Sequence, residues 1–392
     1  MLVEAVIYEV FNKILEAGGE ALPVRKKLLI PLPDDLLKIS DLFKASGKQF
    51  YLVGGSVRDA LTGEKPKDFD VATNATPDEI IEIAKEDPGL KILEIGKSFG
   101  VIKLLTPKGN EYEIATFRRD GSPGRRPDSV EFTSIEQDVR RRDLSLNALF
   151  YDIENKEIID YVGGIADIEN KIVRTVGSPQ ERFGEDKLRI LRALRFAARL
   201  GSGLDPATSE AIKADNSLQG VSGERIRDEF IKGIKSSRST VHFFNLVSEH
   251  GLWEQIFPGL HVSRDFKDTK NTSVALAVLL RENAAKLLLK KLNDLKYSSD
   301  EVTQVSFLVT FQGLEVPNAY KVKKLFKIAK LADKDLVEFS SLVGKPSSDL
   351  VQNFIRYEPS ITGIELQAQG FSGKELGQEL ERRETELFRR LR

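Results

Sequence analysis

The chain has no cysteine at all and only three histidines, His242, His250 and His261. Without thiols there is no disulfide framework, no cysteine nucleophile and no zinc–thiolate cluster, and a reducing compartment fits. Three scattered histidines exclude a histidine-rich metal centre. Charge of one sign is also missing: 59 basic residues meet 60 acidic ones, a net charge of −1. Any contact with a polyanion therefore has to rest on local basic patches rather than a global field. No apolar run approaches the roughly 18 residues that a bilayer span needs. Glu4, Glu9 and Glu16 argue against a signal or transit peptide, so the opening segment reads as an amphipathic helix with Val3, Ile7, Val10 and Ile14 on one face. Cytoplasmic is the default expectation.

What is present is the composition of a soluble globular protein, 41% hydrophobic and 30% charged over 392 residues, too long for one ordinary domain. From about 48 to 132 strand and helix patterns alternate. "QFYLVGG" reads as a strand, "SVRDALTG" as a short helix and "KDFDVAT" as an extended segment. "TPDEIIEIAKED" is a helix with Thr76 as N-cap and Pro77 in its first position. Three further strands follow in "LKILEIG", "GVIKLLT" and "EYEIATF". Beyond Asp143 only "LFYDIENKEIIDYVGG" suggests a hairpin, turning at Glu154 and Asn155. Helices are predicted over 185–200, 207–215, 222–236, 239–250 and 273–297, with more to the C-terminus. The pattern is that of a mixed α/β head on a long helical body.

Asp68 and Asp70 flank Phe69, so on one strand their carboxylates point the same way. Adjacent acids repel unless a divalent cation sits between them, and oxygen-only ligands suit magnesium or manganese. Glu111 and Glu113 offer a third acid; an ordinary surface role stays open for a lone pair of this kind. The surroundings add weight. A strand that ends in Gly54-Gly55 and enters a helix through Ser56 lets backbone N–H groups approach a phosphate, and Arg58 follows within a turn. Phosphate cradle and metal clamp together point to nucleoside triphosphate chemistry, in which two metals activate a hydroxyl and stabilise a leaving pyrophosphate.

"LVGGSVRDALTG…DFDVAT" resembles the first signature of the polymerase-β-like nucleotidyltransferases, in particular class II tRNA nucleotidyltransferases (CCA-adding enzymes) and bacterial poly(A) polymerases. Further signatures follow in order: "RRRDLSLNALFYD", "DYVGGIADIENKIVRTVG", "EDKLRILRALRFAARLG" and "SGERIRDEF", so that the resemblance covers roughly 50 to 260. It implies an α+β fold, with a small mixed α/β head at 46–152 followed by an all-helical neck at 153–215 and a helical, RNA-binding body and tail at 216–392. Residues 1–45, an N-terminal helical extension, lie outside it. The resemblance implies Asp68 and Asp70 as ligands of two magnesium or manganese ions, and Glu113, in Glu-x-x-Thr-Phe-Arg, as the third catalytic carboxylate. Gly54, Gly55, Ser56 and Arg58 would line the triphosphate, and Arg142 and Asn147 would contact triphosphate and ribose.

Glu185 and Arg189 are four residues apart, Asp186 and Arg189 three, with Arg192, Arg195 and Arg199 continuing the spacing. A surface salt-bridge ladder explains this pattern by itself. The resemblance implies a sharper role, in which Asp186 and Arg189 read the Watson–Crick edge of the incoming base, Glu185 orients Arg189, and Arg192 helps bind the nucleotide. Cytosine and adenine both place an amine donor beside an unprotonated ring nitrogen, so a carboxylate and a guanidinium complement them. Uracil and guanine present the reverse pattern and leave buried polar groups unpaired. CTP and ATP are thus the implied substrates and the tRNA acceptor end the implied partner, with no membrane and no indication of oligomeric state.

Which family member this is depends on smaller features. "EIGKSFGVIKL" has Ser98 where poly(A) polymerases tend to carry a second basic residue, and Phe99-Gly100-Val101 looks more like the tRNA enzymes. "FRRDGSPGRRPDSVEF" matches the family's flexible loop, with Arg118, Asp120, Arg125 and Arg126 in the pattern. It is about two residues shorter between Gly121 and Arg125 than in full CCA-adding enzymes, which leaves CC-only addition open beside CCA addition, A-only addition and poly(A) synthesis. No histidine precedes an aspartate, so no His-Asp phosphohydrolase segment is expected. Arg140, Arg141 and the C-terminal arginines are candidates for RNA phosphates.

Overall fold

The computed structural model describes residues 22–120 and 130–391. The expected N-terminal helix, and Arg125 and Arg126, lie outside the described residues. Internal contacts divide the chain into two units, Met1–Asp215 and Asn216–Arg392.

The first unit runs through β1 (Val24–Lys27), α1 (Asp34–Ala45), β2 (Tyr51–Val53), α2 (Gly55–Leu61), β3 (Asp70–Thr73), α3 (Pro77–Lys85), β4 (Lys91–Gly96), β5 (Val101–Leu105) and β6 (Glu111–Thr116). A two-stranded ribbon follows, β7 (Arg118–Asp120) with β8 (Val130–Phe132), then α4 (Ile135–Arg140) and a hairpin, β9 (Phe150–Asp152) and β10 (Glu157–Asp160). The unit closes with α5 (Gly164–Glu169), β11 (Ile172–Val173), α6 (Pro179–Glu185), α7 (Leu188–Leu200), β12 (Gly203–Leu204) and α8 (Pro206–Ala214).

Eight strands form one sheet in the order β1-β10-β9-β2-β3-β6-β5-β4. Only β3 and β6 pair in parallel; the other neighbours are antiparallel. Period-two alternation sets the faces: on β6, Tyr112, Ile114 and Thr116 turn inward while Glu111 and Glu113 turn to solvent. The expected capping of α3 is present as a full box, Thr76 accepting from the Glu79 N–H and Glu79 from the Thr76 N–H.

The sheet extends beyond 46–152 on both sides, through β1 and β10. β1 has no apolar alternation, and all four of its residues are exposed. It is held at the sheet's edge by pairing to β10 and by Arg25 and Lys27 against Glu157. The helix expected over 185–200 is two helices. Asp186 is extended (φ −152°, ψ 106°), and its carboxylate accepts the Leu188 N–H at 3.1 Å, a local bond that competes with continuing the helix.

The second unit, among its described residues, is entirely helical: α9 (Gly223–Ser236), α10 (Thr240–Glu249), α11 (Trp253–Ile256), α12 (Thr272–Leu280), α13 (Ala285–Asp294), α14 (Ser299–Phe311), α15 (Ala319–Ala329), α16 (Asp333–Val343), α17 (Ser348–Arg356), α18 (Gly363–Ala368) and α19 (Gly373–Arg389). The predicted helix 273–297 is broken at Asn283, whose amide donates to Leu280 O at 3.0 Å and His261 O at 2.7 Å. An aromatic cluster of Phe230, Phe243, Phe244, Trp253 and Phe257 fills its first half. The tail helix is anchored by the fully buried Glu384, which accepts from Tyr357 Oη and from the Ser360 and Ile361 N–H groups. No helix among the described residues is long and apolar enough to cross a membrane.

Candidate active site

The strand-to-helix turn after β2 depends on Gly54, whose φ of +69° and ψ of −121° an L side chain would rarely adopt. Gly55 opens α2. Ser56 is buried and its hydroxyl donates back to Val53 O at 3.3 Å, so what it offers a ligand is its backbone N–H. Arg58 departs from the expectation that it reaches a phosphate. It is 4% exposed, donates to Asn147 Oδ1 at 2.6 Å, pairs with Asp59 at 2.7 Å, and lies 4.8 Å over the Phe196 ring. Burial pushes its pKa down, which the neighbouring Asp59 opposes.

β2 pairs with β3 only as far as Val53 opposite Asp70, because Gly54 then turns the chain away. Asp70 is accordingly the first residue of β3, and Asp68 lies on the preceding loop instead of the same strand. Val71 is level with Ile114, so Asp70 and Glu113 each stand one step earlier on adjacent parallel strands and share a face. Lys103 on β5 faces Glu113 in register and pairs with Glu111 at 3.0 Å and Glu113 at 3.3 Å. The row across the sheet is acid, acid, ammonium. Desolvation, then Glu113, then Asp68 push the Asp70 carboxyl above its ordinary range, with Arg142 and Lys103 pulling the other way. Asp70 is exposed on one side, so this crowding comes from the protein side of the group.

That crowding is the test of fit for divalent cations. Among the described residues no three acidic, histidine or cysteine side chains are drawn together as a finished ligand set. The donors are hard oxygens whose negative charge Lys103 and Arg142 only partly offset, the kind of ligand that suits magnesium or manganese. Asp68, Asp70 and Glu113 fit such ions.

Arg142 and Arg141 are held by one buried carboxylate. Asp138 Oδ2 accepts from Arg142 Nε at 3.1 Å and Nη2 at 2.8 Å, and Oδ1 accepts from Arg141 Nε at 2.8 Å and from the Arg118 N–H at 3.2 Å. Burial opposes the Asp138 charge, but Arg142, Arg141 and the Arg118 N–H outweigh it and hold the carboxyl below the usual range. The Arg118 guanidinium reaches Phe99 O, and β7 and β8 pair from Arg118–Phe132 to Asp120–Val130. Gly100, at φ +76°, leaves room for Phe132, whose ring would lie 3.0 Å from a Cβ there.

The neck side chains reach the same turn. Arg189 pairs with Glu185 and donates to Arg182 O at 3.3 Å and Arg141 O at 3.2 Å. Arg182 donates to Arg140 O at 3.0 Å. Arg192 grips Asp143 at 2.6 Å, and Asn147 donates to the same carboxylate at 3.4 Å. Asp186 lies at the joint between α6 and α7, where its carboxylate accepts the Leu188 N–H, while the Arg189 guanidinium pairs with Glu185. Of the ladder spacing, Glu185–Arg189 forms an ion pair.

Asp68, Asp70, Glu113 and Arg142 thus share one electrostatic neighbourhood, joined through the 140–142 turn to Glu185 and Arg189. Residue patterns alone did not single out Lys103, Asp138, Asp143 or Phe196. Asp138 carried a readable signal, since it precedes Arg141 and Arg142 by three and four positions on a helix.

A mixed sheet presenting clustered acids beside a helical segment that carries a carboxylate and a guanidinium is the ground plan of a nucleotidyltransferase. Residues 50–174 match the model of the "Poly A polymerase head domain", and residues 203–263 that of the "Probable RNA and SrmB- binding site of polymerase A". The chain is 34% identical to the CCA-adding enzyme of Lactobacillus helveticus over 348 residues, covering 83% of this chain and 84% of that one. It is also 34% identical to poly(A) polymerase I of Salmonella typhi, over 58% of this chain and 50% of that one. The crystal structure of the Bacillus stearothermophilus CCA-adding enzyme in complex with CTP superposes with a TM-score of 0.70 at 26% identity, covering 90% of this chain and 91% of that one. The chain belongs to the family of CCA-adding enzymes, the class II tRNA nucleotidyltransferases related to bacterial poly(A) polymerases.

Proposed function

We propose that this nucleotidyltransferase adds C and A to the 3′ end of tRNA from CTP and ATP without a nucleic-acid template. The observation that carries the reading is the juxtaposition of Asp70, crowded by Glu113 and Asp68, with Arg142 and, through the 140–142 turn, with Arg189. The extent of the match supports the tRNA reading: the CCA-adding enzyme of Lactobacillus helveticus is covered to 84% of its length and the solved Bacillus stearothermophilus CCA-adding enzyme to 91%.

In the reaction the terminal 3′-hydroxyl of the RNA loses its proton, its oxygen bonds to the α-phosphorus of the nucleotide, and the bond from that phosphorus to the β-phosphate bridge breaks to release pyrophosphate. Asp68 and Asp70, with Glu113 beside them, would hold two magnesium or manganese ions, which supply activation of the hydroxyl and charge neutralisation at the leaving group. The N–H groups of Gly54, Gly55 and Ser56 line the triphosphate, with Arg142 contributing its charge. Arg58 serves by holding Asn147, which faces the ribose. Asp186 accepts from the exocyclic amine of C or A, and Arg189 donates to the adjoining ring nitrogen. Arg192 holds Asp143 at the nucleotide's edge. The 118–132 segment fits the family's flexible loop, and the helical body would contact tRNA phosphates through local basic patches.

The test uses purified protein, magnesium and tRNA transcripts ending before CCA, after CC and after CCA, with CTP and ATP supplied singly and together. Three additions that stop at CCA support the proposal. Arrest at CC, or extension of only the CC transcript, replaces it with a divided activity, and long ATP-dependent tails replace it with poly(A) synthesis.

A further inference from the structure

Asp138 stands behind the site and has no proposed substrate contact of its own; it holds Arg142, which has one. Its side chain is 1% exposed, and it joins two separate pieces of chain, Arg118 and the 141–142 turn. One oxygen takes the backbone N–H of Arg118, where the β7–β8 ribbon leaves the sheet, together with the Arg141 guanidinium. The other takes both Nε and Nη2 of Arg142. Arg141 adds a second tie to the same strand, from Nε to Arg118 O at 3.1 Å.

The consequence is at the carbonyl of Arg141. With its side chain pinned, the main chain of the turn is fixed, and that carbonyl is one of the acceptors on which Arg189 rests. The other groups holding Arg189, Glu185 and Arg182 O, belong to the preceding helix α6. Arg192 on Asp143 and Arg182 on the Arg140 carbonyl tie the two helices to the head, and the Arg141 carbonyl is the head group that the Arg189 guanidinium itself touches.

We propose that Asp138 is a positioning residue for nucleotide selection: by clamping Arg141 and Arg142 it sets the height of the Arg189 guanidinium against the base edge as well as the placing of Arg142. This rests on the reading of Arg189 as a base reader. An uncharged amide at 138 keeps the volume, but it cannot accept from two guanidiniums and an N–H at once. The turn then loosens, and Arg189 no longer meets one geometry.

The experiment measures kcat/KM for single incorporation of C and of U on a tRNA transcript lacking CCA, in the full-length enzyme and in D138N, R141M and R189A. Loss of selection against uracil of about tenfold in D138N, with about threefold in R141M, is the expected result. A purely structural role lowers the melting temperature and the active fraction but leaves the C-to-U ratio unchanged, and that outcome overturns the proposal. R141M, which removes one partner and leaves the Arg142 pair, decides the matter if D138N does not fold. R189A separates the two levels. If R189A loses selection while D138N and R141M keep it, the base-reading role stands and the Asp138 proposal falls. If R189A keeps selection, both fall.

Discussion

The Arg58 guanidinium donates to the Asn147 amide oxygen at 2.6 Å across 89 positions of sequence. It thereby ties the helix after the glycine turn to the turn that carries Asn147, while the Phe196 ring of α7 lies against it. R58M breaks this tie inside a nearly closed environment, takes the donor from Asn147 Oδ1 and leaves Asp59 with Arg199. Stability should fall by about 3 kcal/mol, read from urea unfolding. R58K should fail to restore it, because an ammonium cannot fork between the two acceptors.

The acids make a cleaner separation between chemistry and binding. D70A or D68A should lower incorporation at least about a thousandfold while tRNA affinity, read by filter binding, changes less than about threefold. Incorporation that survives in both variants would return these residues to an ordinary surface role.

Lys103 faces Glu113 and spans it and Glu111. K103M leaves the acid row without its ammonium, so divalent cations should bind more readily: the Mn2+ dissociation constant, followed by paramagnetic resonance of the unbound ion, should drop about two- to fivefold. Stability should move by less than about 0.5 kcal/mol, because the pairs are solvent-exposed. An unchanged or weaker Mn2+ affinity would separate Lys103 from the metal-binding face.

Asp138 has its carboxyl held below the ordinary carboxylate range. A depressed folded-state pKa stabilises above the unfolded value, roughly pH 4, and that stability is lost as pH falls through the folded value. The stability gap between the wild type and D138N should therefore be widest near neutral pH and narrow in acid, below about pH 4. Urea unfolding at a series of pH values reads the gap directly; a gap independent of pH would mean the ionised form is not what the clamp needs.

Gly164 has an ordinary backbone, but a Cβ there would come within 2.3 Å of the Ser145 carbonyl oxygen and 3.1 Å of Leu149 Cδ2. The obstacle is main chain and cannot swing aside. G164A should cost about 2–3 kcal/mol in thermal or urea unfolding. Removal of the Leu149 contact alone should not rescue it.

Much of the head was legible because its strands obey period two and its turns are punctuated. β2 to β6 and the capping box of α3 stand where alternation, Thr76 and Pro77 put them. β1 was not, since an edge strand with every residue exposed carries no burial signal. The joint at Asp186 was hidden because helical spacing of Glu185 and Arg189 persists across a break made by one side chain bonding its own backbone. The break at Asn283 was hidden for a similar reason: side-chain amide bonds outcompete continued helix there. Among candidate site residues, spacing pointed to Asp68 and Asp70 and left Glu111 and Glu113 open, but it could not tell that Arg58 is buried or that Asp68 sits off the strand. Both depend on where β2 stops pairing, which is a property of the sheet rather than of the local segment.

Arg182 and Arg189 lean on the main-chain oxygens of Arg140 and Arg141. A codon change at 140 or 141 replaces a side chain and leaves the oxygen in place. The seat of the helix that carries Arg189 is therefore inherited as a shape of the backbone, which at 141 still depends on the side chain that Asp138 holds. Drift at the exposed Arg140 leaves that seat in place, whereas change at Asp138 or Arg141 bends the turn itself.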